Sequence, residues 1–146
     1  MPFTVPLGDI AHVIQLAIAP VFLLTAVGTL LNVLTNRLGR TVDRRRVLVA
    51  ALPTLDAANA ETARAELSFN ERRTRLIYVS ISLSVMCALL ICMLIAIAFI
   101  DAFLAINLAK LVAVFFVLAM IALIGSLVVF LREIFLGVNT ARCAVR

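Results

Sequence analysis

Residues 76–100 read LIYVSISLSVMCALLICMLIAIAFI, a run without one charged side chain. A helix crosses the hydrocarbon of a bilayer with about 20 mostly apolar residues, each adding about 1.5 Å of rise. The run is continuously apolar rather than alternating. Only a helix or a closed barrel satisfies its own backbone inside lipid, so this pattern predicts a membrane helix.

Two further runs repeat the pattern. Residues 111–131 are also free of charge, and residues 10–34 carry no Asp, Glu, Lys or Arg. The first run does not read as a cleaved leader. Residues 1–8 hold no Lys or Arg, and the apolar stretch is too long for a signal peptide, so it is expected to be retained. Composition agrees: 64% of the 146 residues are apolar and 14% are charged. A water-soluble domain is nearer half apolar and a quarter charged. The expected fold is all-α, an integral membrane protein with three transmembrane helices over about 10–34, 76–100 and 111–131.

Basic residues set the expected orientation. Twelve of the 13 are Arg, and the formal net charge is +5. Nine Arg stand between positions 36 and 75, and Arg132, Arg142 and Arg146 follow the third span, whereas Lys110 stands alone on the opposite side. Loops rich in Lys and Arg remain in the cytoplasm. The N-terminus and the turn over 101–110 are therefore expected outside, with the central loop and the tail over 132–146 inside. Arg37, Arg40, Arg72, Arg73, Arg75 and Arg132 flank the spans, where anionic headgroups lie, and are candidate membrane-surface anchors. That placement and the lack of a recognition motif argue against nucleic acid as a partner.

The central loop is expected to be a cytoplasmic antiparallel helical hairpin over about 36–75. Leu38, Val42, Arg45, Val49 and Leu52 recur at helical spacing. Leu52, Pro53 and Thr54 then interrupt the pattern, since helices end before proline. Thr54 or Asp56 can cap a second arm with Ala63, Leu67 and Asn70 on one face. Glu61 with Arg64, and Glu71 with Arg75, stand at spacings that support intrahelical pairs.

Along the helix of the first span and just past its end, Thr25, Thr29, Asn32 and Asn36 follow steps of four, three and four, with Gly28 at the edge of the same sector. An Asn amide in hydrocarbon is costly unless it is bonded or wet. The stripe is expected to face protein or water. Two roles fit: a packing seam between helices, or the lining of a central pore made by several copies. Pro20 in the same helix removes a backbone donor and predicts a kink. His12 and Gln15 lie near the outer interface, and Asp9 with Pro6 and Gly8 reads as a helix start. Ser80, Ser84 and Cys87 in the second span, and Ala119, Ala122, Gly125 and Ser126 in the third, are small residues suited to close packing. Cys87, Cys92 and Cys143 read as packing residues. Arg132 and Glu133 close the third span, with Arg132 available to Asp43 or to headgroups.

Nothing in this pattern makes an enzyme. No carboxylate falls within the spans as drawn, and no acid–base pair, nucleophile–base set or phosphate loop can be assembled. No metal-ligand spacing occurs with a single His, and no cofactor is expected.

IQLA at 14–17, PVFLLT at 20–25, LNVLTNRL at 31–38, VDR at 42–44 and FLRE at 130–133 together resemble a family of small bacterial inner-membrane proteins of unknown function. The resemblance covers nearly the whole chain. It implies three helices in a bacterial inner membrane and brings no activity with it. Function is thus expected in one of two forms: a homo-oligomeric, channel-like assembly lined by the first span, or an accessory protein whose hairpin binds a partner. Anionic lipids are expected neighbours in both.

Overall fold

The structure, a computed structural model, describes residues 7–104 and 108–143. Expectations for Pro6 and Arg146, and for the side chains of Gly8, Asp9, His12, Arg142 and Cys143, lie outside what it describes. The described residues are helical nearly throughout. Helix α1 covers Leu7–Ala51, a 3-10 turn covers Leu52–Thr54, and α2 and α3 cover Ala57–Leu104 and Ala109–Cys143. All three helices are long and apolar enough to cross a membrane. At 45, 48 and 35 residues, each exceeds the about 20 that hydrocarbon requires. The Arg-rich arms are continuations of α1 and α2.

Pro53 stands in the turn that separates α1 from α2. Neither expected side-chain cap forms there. Thr54 Oγ1 donates back to the Ala51 carbonyl at 2.8 Å, and the Asp56 carbonyl accepts from Ala60 N–H at 2.8 Å. At the other end of α2, Asp101 Oδ1 accepts from Leu108 N–H at 3.0 Å, just before α3 begins.

The chain divides into two compact units, Met1–Leu30 with Leu83–Ile124, and Leu31–Ser82 with Gly125–Arg146. The buried residues of the first are Pro20 and Val27 of α1, Ser84, Cys87, Ile91 and Leu94 of α2, and Ala119 of α3. Those of the second are Leu34, Thr41 and Leu48; Ala63, Asn70, Ile77 and Ser80; and Ser126 and Glu133. Within each helix these positions recur every seventh residue: 20, 27, 34, 41 and 48 in α1, 63, 70, 77, 84 and 91 in α2, and 119, 126 and 133 in α3. In α2 a second series at 80, 87 and 94 runs beside the first. A seven-residue step keeps the buried side chains of a helix on one face, at about 3.5 residues per turn.

The buried positions mix large apolar side chains, Val27, Leu34, Leu48, Ile77, Ile91 and Leu94, with small and polar ones. The latter include Ser, Thr, Asn, Cys, Ala and Glu, while Phe22, Leu89, Met93, Ile121, Ile124 and Phe135 are exposed. Lipid tails are as apolar as Leu, so burying Leu between membrane helices gains little. Close approach and hydrogen bonds hold such helices instead. Ser80 and Ser126 show the consequence. Both are fully buried, each donates its hydroxyl to the other's carbonyl at 2.9 Å, and the two oxygens lie 3.0 Å apart. Cys87 is buried as expected of a packing residue, but Cys92 is exposed.

The first arm is helical, as its spacing predicts, and the seam sets its buried side. Thr41 and Leu48 are buried there, whereas Arg45 and Val49 are exposed and Leu38, Val42 and Leu52 only half-buried. The buried positions, Leu34, Thr41 and Leu48, stand seven residues apart. The expected pairs Glu61–Arg64 and Glu71–Arg75 do not form among the described residues. Glu66 instead pairs between the arms with Arg44, through Nε at 2.9 Å and Nη2 at 3.3 Å.

Candidate functional site

Among the described residues, the second unit contains one fully buried carboxylate. Glu133 stands one seven-residue step after Ser126 on the seam of α3, with none of its surface exposed. A buried charge is stable only when paired and hydrogen-bonded. Arg37 of α1 donates Nη1–H to Glu133 Oε2. Arg73 of α2 donates to Oε1 through Nε at 3.1 Å and Nη2 at 2.6 Å. One carboxylate therefore ties together all three helices of this unit.

The surroundings hold both guanidinium groups in place. The Arg37 guanidinium lies over the Phe130 ring, 5.2 Å from its centroid, a cation–π contact from the turn before Glu133. Gly137, one turn after Glu133, clears space for Arg73. A Cβ there would stand 3.2 Å from Arg73 Nη2 and 3.3 Å from Cζ. Two guanidinium cations share one carboxylate, so the clamp retains an excess positive charge.

Beside the clamp lies a cavity of about 300 Å³ lined by Arg37, Arg40, Thr41, Arg44, Asn70 and Arg73. The Thr41 hydroxyl donates to the Arg37 carbonyl at 2.9 Å, and Arg44 is held by Glu66. Among the described residues Arg40 makes no ion pair. Asn70 is 7% exposed, and its buried Nδ2 has no hydrogen-bond partner there.

The polar stripe of α1 lies on the other side of that helix. Thr25, Gly28, Thr29, Asn32 and Asn36 are all exposed. The Thr and Asn positions fall two residues before or after a seam residue, about 200° around the helix from it. The stripe is thus not a seam between helices of one chain. Thr25 donates to Val21 O at 3.3 Å and Thr29 to Thr25 O at 3.1 Å, both within α1. Asn36 Nδ2 donates to Asn32 Oδ1 at 3.3 Å. Beyond its own stretch of helix, a Cβ built on Gly28 meets nothing within 4 Å. Pro20 is buried inside a helix that continues on both sides of it.

The candidate anchors separate into two groups. Arg37 and Arg73 turn to Glu133 and Arg40 lines the cavity, while Arg72, Arg75 and Arg132 are exposed. Arg132 does not pair with Asp43. Hydropathy alone marks Glu133 only as a residue that closes a span. A stronger signal lies in the spacing of Ala119, Ser126 and Glu133, two small residues and a lone acid seven apart on a helix rich in large side chains.

No curated protein and no solved structure matches the chain. A family match covers residues 17–143, which include every residue of the clamp, the cavity and the stripe. The chain belongs to DUF2721, a family of proteins of unknown function.

Proposed function

We propose that the protein is a homo-oligomeric, channel-like assembly of the bacterial inner membrane, in which α1 of each copy turns Thr25, Thr29, Asn32 and Asn36 toward a shared polar path. One observation carries the reading: the side-chain amides of Asn32 and Asn36 are exposed on the chain surface and, among the described residues, hydrogen-bonded only to each other. The Thr hydroxyls bond back to their own helix, which makes them tolerable against lipid. The Asn amides keep free donors and acceptors, and a bare amide in hydrocarbon costs about 2 kcal/mol or more. Neighbouring copies or water supply what lipid lacks. The asymmetry of Arg about the spans orients each copy with its N-terminus outside and the hairpin and C-terminus in the cytoplasm. Arg72, Arg75 and Arg132 then meet anionic headgroups. No catalytic step is assigned to the chain.

Purified protein reconstituted into sealed vesicles tests it. Ion flux that disappears in Asn32→Leu, with the oligomer intact by crosslinking, supports the path. Vesicles that remain sealed under every gradient and pH refute it.

A second reading makes the hairpin a docking surface for a protein partner. Val47, Val49 and Leu55 favour it, since all three are exposed near the turn that joins α1 to α2, beyond residues 10–34. Crosslinking from this end to one defined protein, lost when Val47 and Val49 become Ser, supports it. Recovery of the homo-oligomer alone counts against it.

A further inference from the structure

We propose that the cavity formed by Arg37, Arg40, Thr41, Arg44, Asn70 and Arg73 is a binding site for a phosphate group. The inference does not depend on how copies assemble, because every residue of the cavity belongs to one chain and one compact unit.

The first observation is the imbalance of charge. Four guanidinium groups line a space of about 300 Å³, and their carboxylate partners are Glu66 and Glu133. Two positive charges remain uncompensated. Like charges gathered around a cavity repel each other, and an anion inside it relieves that repulsion.

The second observation is the imbalance of donors and acceptors. Arg has five N–H donors and no acceptor. Arg37 gives one to Glu133 and Arg73 gives two. Arg40 gives none to an ion pair. The only side-chain acceptors in the lining are the Thr41 hydroxyl and the Asn70 carbonyl oxygen. A cation finds little here, whereas a group with several charged oxygens finds many donors. Arg forks match phosphate oxygens in geometry as well as charge.

The third observation is independent of charge. Asn70 Nδ2 is buried and unpartnered. A buried donor without an acceptor loses its hydration and gains nothing in return. An apolar residue on the seam would avoid that cost, so the amide makes sense as part of a site completed by an acceptor. A phosphate oxygen supplies one.

The phosphate has two available sources, a lipid headgroup or a soluble phosphate compound. The experiment separates them. Full-length protein is purified in maltoside micelles, which contain no phosphate. Its thermal unfolding is followed while either inorganic phosphate or phosphatidylglycerol is titrated, against chloride at matched ionic strength. A ligand that binds only the folded state raises stability with its concentration. Stabilisation by inorganic phosphate assigns a soluble source, and stabilisation by phosphatidylglycerol alone assigns a headgroup. Arg40 is exposed and unpaired, so Arg40→Gln leaves the fold intact and weakens the effective ligand about tenfold or more, the worth of one charge-assisted hydrogen bond. Asn70→Leu gives a distinct signature: higher stability without ligand, and weaker response to it. The proposal is overturned if neither titrant stabilises the wild type beyond chloride. It is equally overturned if both variants keep the full wild-type response.

Discussion

Consider the removal of each side of the Glu133 clamp. Glu133→Gln deletes the carboxylate charge and leaves Arg37 and Arg73 behind. Their side chains are 32% and 28% exposed, so both reach water with a rotamer change. The loss is then that of charge-assisted bonds at a partly wet site, about 1–3 kcal/mol. The reverse deletion is worse. Arg37→Met with Arg73→Met strands a carboxylate whose side chain is 0% exposed, and an uncompensated buried charge costs about 3–5 kcal/mol. Adding Glu133→Leu to that pair removes the stranded charge. Replacing buried ions with apolar residues of similar volume is often neutral, so the triple variant should recover to within about 1–2 kcal/mol of wild type. The assay is reversible unfolding in mixed micelles by titration with a denaturing detergent, with helicity followed by circular dichroism. The expected order of stability is wild type, triple variant close behind, Glu133→Gln, then the double Arg variant. A triple variant no more stable than the double one would overturn this account, because the double variant's loss would then not come from a stranded, desolvated carboxylate.

Other perturbations test separate contacts. Ser80→Ala and Ser126→Ala should each cost about 0.5–1.5 kcal/mol and nearly add, because each hydroxyl donates to the other residue's backbone carbonyl, which Ala retains; a double cycle in the same detergent titration checks this, and a large coupling would show that the contact between the two hydroxyls dominates. Gly137→Ala should change stability by less than about 1 kcal/mol, because Ala favours the helix by about 1 kcal/mol while the Arg73 guanidinium, the end of a flexible side chain, yields by a few tenths of an ångström; the same titration checks it, and a loss above about 2 kcal/mol would show the guanidinium to be fixed. For orientation, a thiol introduced as Thr54→Cys in a background with Cys143→Ser should react with a membrane-impermeant maleimide only from the cytoplasmic side; labelling from outside would reverse the topology.

The three spans are legible because membrane insertion depends on summed hydropathy, which a sequence carries directly. The helix break at Leu52–Thr54 is legible for a similar reason, since Pro53 acts through local geometry. The inward face of each helix is harder to read. The buried side follows the seven-residue seam, which puts Thr41, Leu48 and Asn70 inside while Val47 and Val49 stay out. Apolar spacing at about 3.6 residues marks the first arm as a helix but does not name its buried side. The clamp is harder still. Arg37 and Arg73 stand 96 and 60 residues from Glu133 in sequence. No local pattern announces which of 12 Arg a lone acid will select. The register of three helices decides that, and register is a property of the packed seam.

The position of the clamp on that seam follows from the same physics. Apolar helices in lipid have no strong preference among sliding or rotated arrangements, because each arrangement buries similar surface. A directional contact is needed to select one. Ser80 and Ser126 supply a neutral one between α2 and α3. It leaves the rotation of α1 open. Glu133 lies one seven-residue step further along α3, about 10 Å of rise, and its two oxygens accept from α1 and α2 separately. A slip of α1 by one residue turns its side chains by about 100° and removes Arg37 from reach. The buried acid then loses one of its two cations, a cost no apolar contact in lipid recovers. A charge that would weaken a soluble core thus serves here to specify one register. It stands where the apolar run of α3 gives way to Arg132 and the two Arg partners are still half-exposed, so its desolvation is smaller than it would be at mid-span.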